Sequence, residues 1–320
     1  MDRILRRELD AIARDNTSGA AELTLRASIA VQSWLKRELQ PRQEALVTVA
    51  RALQDTQCMM APMWRLANEI ALAADACQSA FSLRRRIGTF SRRVRTGPAK
   101  IARHFVRALR GKPDNLLLTY SYSSTVAKAL IAARAQILGV YCSEGRPAYE
   151  GRAMARLLGD ARIGVLFCAD AQLLASNFGM WNIVVLGADA LLPYTFWNKV
   201  GTDVIVANAR KRRARVFILA DTTKFWPDSM FGLGPHLAGT EHNRQALWRN
   251  PPRRVSLMAG VFDAAPIPER AFILTERGPM SPPQMRRAMK KIQISPRLAM
   301  VDWFKAQMET LGASRGKPLK

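Results

Sequence analysis

Six short apolar runs dominate the sequence after residue 114 and restrict the fold more than any other feature. These runs are "NLLLTYS", "QILGVYCS", "RIGVLFCA", "NIVVLGA", "RVFILAD" and "AFILTE". Segments with helical spacing, such as "STVAKALIAARA" and "YEGRAMARLLGD", separate most of them. Strands and helices that alternate in this way form a parallel sheet covered by helices. The sequence therefore predicts an α/β fold with a Rossmann-like domain over residues 111–320.

The first hundred residues have a different pattern, which predicts helices. A one-sided apolar stripe is formed by Ile4, Leu5, Leu9 and Ile12. The segment "AAELTLRASIAVQSWLKREL" predicts a second helix, with Thr17 or Ser18 as its N-cap and an end before Pro41. Two further helices are predicted over "RQEALVTVARALQ" and "MWRLANEIALAADACQSAFSLRRR". We therefore predict an N-terminal helical domain over residues 1–110.

The charge of the chain favours polyanionic partners. It has 49 Lys and Arg residues against 25 Asp and Glu, which gives a net charge of +24. Such a balance suits nucleic acid, an anionic membrane surface or phosphorylated small molecules. Residues 83–113 alone carry eleven basic residues and no acidic one. This stretch fits a solvated helical face, and the alternative is a weak nucleic-acid-binding surface.

Several other functional classes are not indicated. The chain has no run of about 18 uncharged apolar residues, so no membrane span is expected. Its charged N-terminus lacks the apolar region of a secretory signal, so we expect a cytoplasmic protein. Its four cysteines and three histidines have no zinc-ligand spacing. No dinucleotide or P-loop motif occurs, and neither a metal nor a cofactor is expected.

Polar clusters follow several of the predicted strands. They comprise residues 119–124, residues 143–146, Asp189 and residues 221–224. Ligands of parallel α/β sheets bind at the carboxyl ends of the strands, near a change in strand order. The clusters therefore predict a ligand site at that edge of the sheet.

Seven segments occur in an order that is typical of one known family. They are "DNTSGAAEL", "LLTYSYSSTVAKAL", "SEGRPAYEGRAMA", "GADAL", "NKVGT", "TTKFW" and "FILTERG". Together they resemble the α, β and δ regulatory subunits of the exchange factor for eukaryotic initiation factor two. The same family contains isomerases for methylthioribose-1-phosphate and ribose-1,5-bisphosphate. The resemblance covers about residues 15–280 and implies a helical domain joined to a Rossmann-like domain that forms a homodimer.

The resemblance also implies functional residues. In the isomerases the GAD aspartate, here Asp189, takes part in acid/base chemistry. Asn198, Lys199 and Lys224 match residues that hold the phosphorylated sugar. The pattern alone also fits a structural role in which Asp189 ties its loop to Asn198 or to a backbone amide. With the resemblance, a role in contact with ligand is favoured.

Two positions depart from the isomerase pattern. Ser121 stands where the isomerases have a cysteine, and a serine hydroxyl does not exchange protons near neutral pH as a tuned thiol does. Ser18, Gly19 and Ala20 match the substrate-binding R-G-A motif of the isomerases and are expected to contact the substrate, but Ser18 stands where they have an arginine that grips it. A second arginine of the isomerases has no direct match, although Arg65 is close enough to substitute for it.

These residues support two kinds of function. The first is a sugar-phosphate-binding protein that acts as a sensor or as a weak isomerase. As an enzyme it would be an aldose–ketose isomerase of the ribose-1,5-bisphosphate or methylthioribose-1-phosphate type. The second is a non-catalytic regulatory subunit that binds RNA or a protein partner. The departures at Ser121 and Ser18 favour binding over turnover.

Overall fold

Five helices form the N-terminal layer of the computed structural model, which describes residues 1–15, 18–57, 60–110, 115–175, 177–227, 245–257 and 259–298. They are α1 (Arg3–Arg14), α2 (Ala20–Arg37), α3 (Gln43–Thr56), α4 (Ala61–Asp75) and α5 (Ala80–Leu109). Leu5, Leu9 and Ile12 of the predicted stripe on α1 are buried, whereas Ile4 is 57% exposed, so the buried face is narrower than predicted. The helical character of this layer is therefore confirmed.

Two local predictions in this layer need correction. The segment predicted as one helix over "MWRL…RRR" is divided into α4 and α5, and the Ser79 hydroxyl caps α5 by accepting from Ser82 N at 3.3 Å. The N-cap of α2 is Gly19 rather than Ser18. The Ser18 hydroxyl instead donates to Asp15 Oδ2 at 2.9 Å. Thr17 lies outside the described residues.

The predicted parallel sheet is present and contains all six apolar runs. Its strands are β1 (Asn115–Leu118), β2 (Ile137–Ser143), β3 (Val165–Cys168), β4 (Ile183–Leu186), β7 (Arg215–Leu219), β9 (Phe272–Thr275) and β10 (Gly278–Met280). They are ordered β10-β9-β7-β4-β1-β2-β3, and only β10 runs antiparallel to its neighbour. The α/β fold with N-terminal helices is confirmed.

Helices cover both faces of this sheet, as the alternation of strands and helices in the sequence predicts. They are α6 (Ser124–Ala132), α7 (Glu150–Asp160), α8 (Asp170–Leu174), α9 (Thr202–Lys211) and α10 (Pro282–Lys290). One apolar cluster packs α6 and α7 against the sheet, and a second cluster packs α9 and α10 against it. No described helix is long and apolar enough to cross a membrane.

A small second sheet was not predicted from the sequence. It consists of β5 (Ala190–Leu191), β6 (Thr195–Lys199) and β8 (Phe262–Pro266), all antiparallel, in the order β5-β6-β8. Its first strand is too short to give an alternating pattern, and 62 residues separate the end of β6 from the start of β8. This sheet matters for function because β6 carries Asn198 and Lys199.

The long helix α5 belongs to both layers. Its first half packs in the helical core through Leu83, Ile87 and Phe90. Its second half packs on the sheet through Phe105 and Leu109. The division of the chain at residue 110 stays a prediction, since the packing of α5 is continuous across the two layers.

Candidate functional site

A cavity lies at the carboxyl ends of the parallel strands, where strand order reverses between β1 and β4. Its volume is about 140 Å³. The walls are residues 19–22 of α2, residues 122–125 at the start of α6, residues 187–189 after β4, Asn198 and Lys224. We call it the strand-end cavity. The predicted position of a ligand site, at this edge of the sheet, is where the cavity lies.

Two helices point their N-termini at the cavity, and this makes it suitable for an anion. The first turn of α2 has no side-chain cap, and its N–H groups have no partner within the helix. Ser123 caps α6, and it can approach β4 closely because Gly187 has no side chain. A Cβ at Gly187 would lie 2.6 Å from the Ser123 hydroxyl oxygen. The positive ends of both helix dipoles therefore face one space.

Lys224 adds a full positive charge to this wall. It ends the short 3₁₀ turn of residues 222–224 after β7, and its side chain is buried. Its ammonium donates a hydrogen bond to the carbonyl oxygen of Ala188. One of its three N–H bonds is thus used for positioning, and the group stays at the cavity wall.

Asp189 lines the same cavity directly after the turn that follows β4. Its backbone is fixed by hydrogen bonds from Asp189 N to Trp197 O at 2.8 Å and from Ala61 N to Asp189 O at 3.3 Å. Burial raises the pKa of its carboxyl group, and Lys224 and Lys199 oppose that rise. A carboxyl group with a raised pKa can hold or release a proton closer to neutral pH.

Asn198 and Lys199 are separated by the geometry of the strand that carries them. Neighbouring side chains of a strand point to opposite faces. Asn198 lines the cavity and donates to Thr202 Oγ1 at 3.1 Å. The Lys199 ammonium lies on the other face and binds both Glu150 carboxylate oxygens, at 2.8 and 2.9 Å. The expected pair is therefore split between a cavity residue and a buried ion pair.

Glu150 is a residue that the sequence analysis did not single out. It begins α7 within the motif "YEGR", and it reaches Lys199 because α7 starts close to the end of β2. Gly151 permits this approach, since a Cβ there would lie only 1.7 Å from the carbonyl oxygen of Ser143. Asp170 also fixes this loop by accepting from Ser143 Oγ at 2.7 Å and Gly145 N at 2.9 Å.

Ser121 is buried after β1 in a left-handed conformation, with φ of 60°, and it adjoins the cavity residue Tyr122. The described lining of the cavity does not include it. A nearby phenol offers no base, because burial raises the pKa of Tyr120, whose hydroxyl donates to Val200 O at 2.8 Å. His236 and His242 lie outside the described residues.

Ser18, which stands where the isomerases have an arginine, and Arg65, the predicted substitute for their second arginine, are not in the described lining of the strand-end cavity. Gly19 and Ala20 line the cavity, whereas Ser18 is held by Asp15, which also pairs with Arg26 at 2.6 Å. Arg65 is buried on α4 and is not part of the described cavity lining. Five of the eight predicted site residues thus meet at the strand-end cavity. They are Asp189, Asn198, Lys224, Gly19 and Ala20.

The described part of the chain contains no group of three or more His, Cys, Asp or Glu residues that could hold a metal ion.

Comparison with known proteins gives one family. The model of the Initiation factor 2 subunit family matches residues 9–282. A ribose 1,5-bisphosphate isomerase from Thermococcus kodakarensis is 27% identical over 182 residues, which cover 55% of this chain and 56% of the relative. The chain thus matches a little over half the length of this curated relative.

Solved structures give the same fold. The translation initiation factor eIF-2B from Pyrococcus horikoshii OT3 superposes with a TM-score of 0.72 at 22% identity, over 90% of this chain and 100% of that chain. A chain of the tetrameric eIF2B-beta2-delta2 complex from C. thermophilum superposes with a TM-score of 0.67 at 15% identity, over 88% and 92%. Similarity at these identities shows the fold alone.

The raised pKa of Asp189 predicts how stability depends on pH. Between its unfolded and folded pKa values the folded protein binds more protons than the unfolded chain, so stability falls as pH rises through that window. Asp189→Asn removes this effect. We expect the substitution to raise Tm, by more at pH 8 than at pH 4, in thermal denaturation.

The matched control is Asp10→Asn, which changes an exposed aspartate on α1. It should leave the pH dependence of Tm unaltered. A decrease in Tm at pH 8 for Asp189→Asn would contradict the predicted effect of burial.

Proposed function

Because the chain belongs to the Initiation factor 2 subunit family, we propose that its strand-end cavity binds a phosphorylated sugar. The observation that carries this proposal is the convergence of an ammonium group, two helix N-termini and a carboxyl group on one cavity. The phosphate lies against Lys224 and the first turns of α2 and α6. Asp189 and Asn198 form hydrogen bonds with sugar hydroxyls.

The size of the cavity restricts the class of ligand that it can bind. At about 140 Å³ it is smaller than the roughly 300–1,000 Å³ typical of sites for drug-sized molecules. A compact sugar with a single phosphate suits this volume better than a bisphosphate does. The proposed ligand is therefore a pentose monophosphate.

The chemistry of the site favours sensing or slow isomerisation over efficient catalysis. Moving a carbonyl group between adjacent carbons needs two groups that exchange protons with the substrate. Asp189 can be one of them, since burial raises the pKa of its carboxyl group. Ser121 occupies the second position with a hydroxyl that does not ionise near neutrality. The cavity thus keeps the groups that grip phosphate and half of the groups that move protons.

Assembly into a homodimer through residues 111–320 is part of the same proposal. The sheet ends at β3, whose outer edge is unpaired in the described chain, and its Leu166 and Phe167 are 50% and 46% exposed. Exposed apolar side chains at an open strand edge favour contact with another chain. A structural neighbour of this chain is itself part of a tetrameric complex.

A second candidate function, binding of RNA or DNA, is favoured by the surface of α5. The helix has 30 residues and no acidic side chain, and at 1.5 Å per residue it is about 45 Å long. Its exposed basic residues are Arg85, Arg92, Arg95, Lys100, Arg103 and Arg107, followed by Arg110 at the C-cap. Arg103, Arg107 and Arg110 form a groove with Lys128 of α6. Such a continuous basic stripe suits a phosphate backbone, without reading base sequence.

The first prediction here concerns ligand binding. Pentose monophosphates should raise Tm, whereas the unphosphorylated sugars should not, and ligand at a hundred times its Kd adds about 2.7 kcal/mol of stability. Lys224→Met should weaken binding at least tenfold, as expected for the loss of a charge-assisted hydrogen bond. Thermal denaturation measures the change in Tm, and isothermal titration calorimetry measures the change in Kd. Lys36→Met, at an exposed lysine of α2, is the matched control, and unchanged affinity in Lys224→Met would refute this location of the phosphate.

The second prediction concerns turnover. Ser121→Cys should raise isomerisation of a pentose 1-phosphate, because a thiol can ionise near neutral pH and a positioned acid or base contributes about 10²–10⁴-fold. Asp189→Asn should abolish both the original and the restored activity. The measurement is aldose–ketose conversion followed by NMR. Brisk wild-type turnover that survives Asp189→Asn would show that the catalytic assignment is wrong.

The third prediction concerns the basic stripe. Binding of single-stranded RNA should be weak and insensitive to sequence, and it should fall steeply with salt. Arg103→Glu and Arg107→Glu should each reduce the slope of log K against log salt by about 0.7 for a lost phosphate contact. Arg156→Glu, at an exposed residue of α7, is the control. Equal effects of all three substitutions in fluorescence anisotropy would indicate a general charge effect and no surface on α5.

A further inference from the structure

A cluster of arginines lies between α4, α5 and the turn from β9 to β10. We call Arg65, Arg86, Arg93 and Arg277 the arginine cluster. Two carboxylates accompany it: Glu69 forms an ion pair with Arg86, and Glu276 lies 3.7 Å from both Arg93 Nε and Arg277 Nε. Four guanidinium groups thus share two carboxylates, and the cluster keeps an excess of positive charge.

Arg65 is the least compensated member. Its side chain is only 7% exposed, and its Nε and Nη1 have no hydrogen-bond partner in the described structure. Burial lowers its pKa to about 10, with a contribution from Arg93, while Glu69 opposes the change. Arg65 therefore stays charged at neutral pH. A buried charge with unused donors is destabilising until an acceptor reaches it.

An open cavity adjoins this cluster. It has a volume of about 480 Å³, within the range of small-molecule sites. Arg85, Arg86 and Arg93 of α5 line it, with Arg93 about two turns beyond Arg86, and Glu69 of α4 also lines it. Phe81 lies in the same lining with 73% of its surface exposed. None of its described lining residues belongs to the strand-end cavity.

We propose that this cavity is a second anion site, which binds a small molecule that combines a phosphate group with an aromatic ring. Arg86 and Arg93 present planar guanidinium groups, which suit phosphate oxygens through paired hydrogen bonds. The phosphate supplies negative charge that Glu69 and Glu276 only partly provide. Arg65 is not in the described lining of the cavity, and the phosphate stabilises it by Coulombic attraction, as Glu69 does. The ring packs against the exposed face of Phe81.

A series of contacts also connects the second site to the strand-end cavity. Glu276, which pairs with Arg93, accepts hydrogen bonds from Thr222 N at 2.8 Å and Thr222 Oγ1 at 2.5 Å. Thr222 begins the 3₁₀ turn that ends at Lys224. Binding at the second site nevertheless does not depend on Lys224, and this separates the two sites experimentally.

Calorimetric titration with phenyl phosphate, inorganic phosphate and phenol tests the proposal. We expect phenyl phosphate to bind more tightly than inorganic phosphate, and phenol not to bind. Arg93→Gln should raise the Kd for phenyl phosphate at least tenfold, and Phe81→Ala should reduce affinity to that of inorganic phosphate. Lys224→Met and the control Arg156→Gln should bind phenyl phosphate as the wild type does. Loss of binding in Lys224→Met, or unchanged binding in Arg93→Gln, would overturn the assignment.

A stability measurement provides an independent check on Arg65. Because the isolated guanidinium is buried with unused donors, Arg65→Met should raise Tm in phosphate-free buffer. The same substitution should shrink the rise in Tm that phenyl phosphate causes in the wild type. A lower Tm for Arg65→Met without phosphate would mean that Arg65 is already compensated, and the proposal would fail.

Discussion

The parallel pairing of β1 with β4 is the constraint on which the rest of the site depends. Leu117 pairs with Ile183 and Leu118 with Val184, and both strands then end at the same edge. On one side of β1 the chain order continues to β2 and β3, and on the other side of β4 it continues to β7 and β9. The connections therefore diverge at this point and leave a crevice. Asp189 and Lys224 meet there because β4 and β7 are neighbours in register.

The helical layer completes the crevice because α5 is shared between two cores. A Cβ at Gly97, midway along α5, would lie 3.1 Å from Cβ of Asp221, so the helix passes unusually close to the loop that leads to Lys224. A second contact comes from three packed tryptophans, since the ring centroid of Trp226 lies 5.2 Å from that of Trp64 and 5.3 Å from that of Trp197, with the ring planes tilted by 46° in both pairs. These contacts fix α4 against the small sheet. They also explain how the N-terminus of α2, far away in sequence, can form a wall of the strand-end cavity.

Sequence patterns predicted the fold further than they predicted the orientation of side chains. The six apolar runs and the turns after them gave the sheet and the position of Asp189, because buried strands leave a strong local signal. The small sheet has no such signal. From the sequence alone, Asn198 and Lys199 were therefore predicted to act together on one ligand. Only the strand register places them on opposite faces and pairs Lys199 with Glu150, 49 residues away. The environment of Arg65 was equally hidden, since the arginines whose charges act on it lie on α5 and at position 277, distant in sequence.

Under the proposed function, the difference between binding and turnover follows from the groups that the site contains for holding phosphate and for exchanging protons. In the proposed complex, the helix N-termini and Lys224 would contact a phosphate that does not change during isomerisation, so they would stabilise the substrate and the transition state equally. Interactions of this kind increase affinity and leave the chemical step unaccelerated. Rate enhancement needs groups that donate and accept the transferred protons. Asp189 can be one such group, whereas Ser121 has a hydroxyl that does not ionise near neutrality. We therefore propose that a site with this composition binds its ligand without converting it efficiently. Such behaviour would suit a protein that reports the concentration of a metabolite.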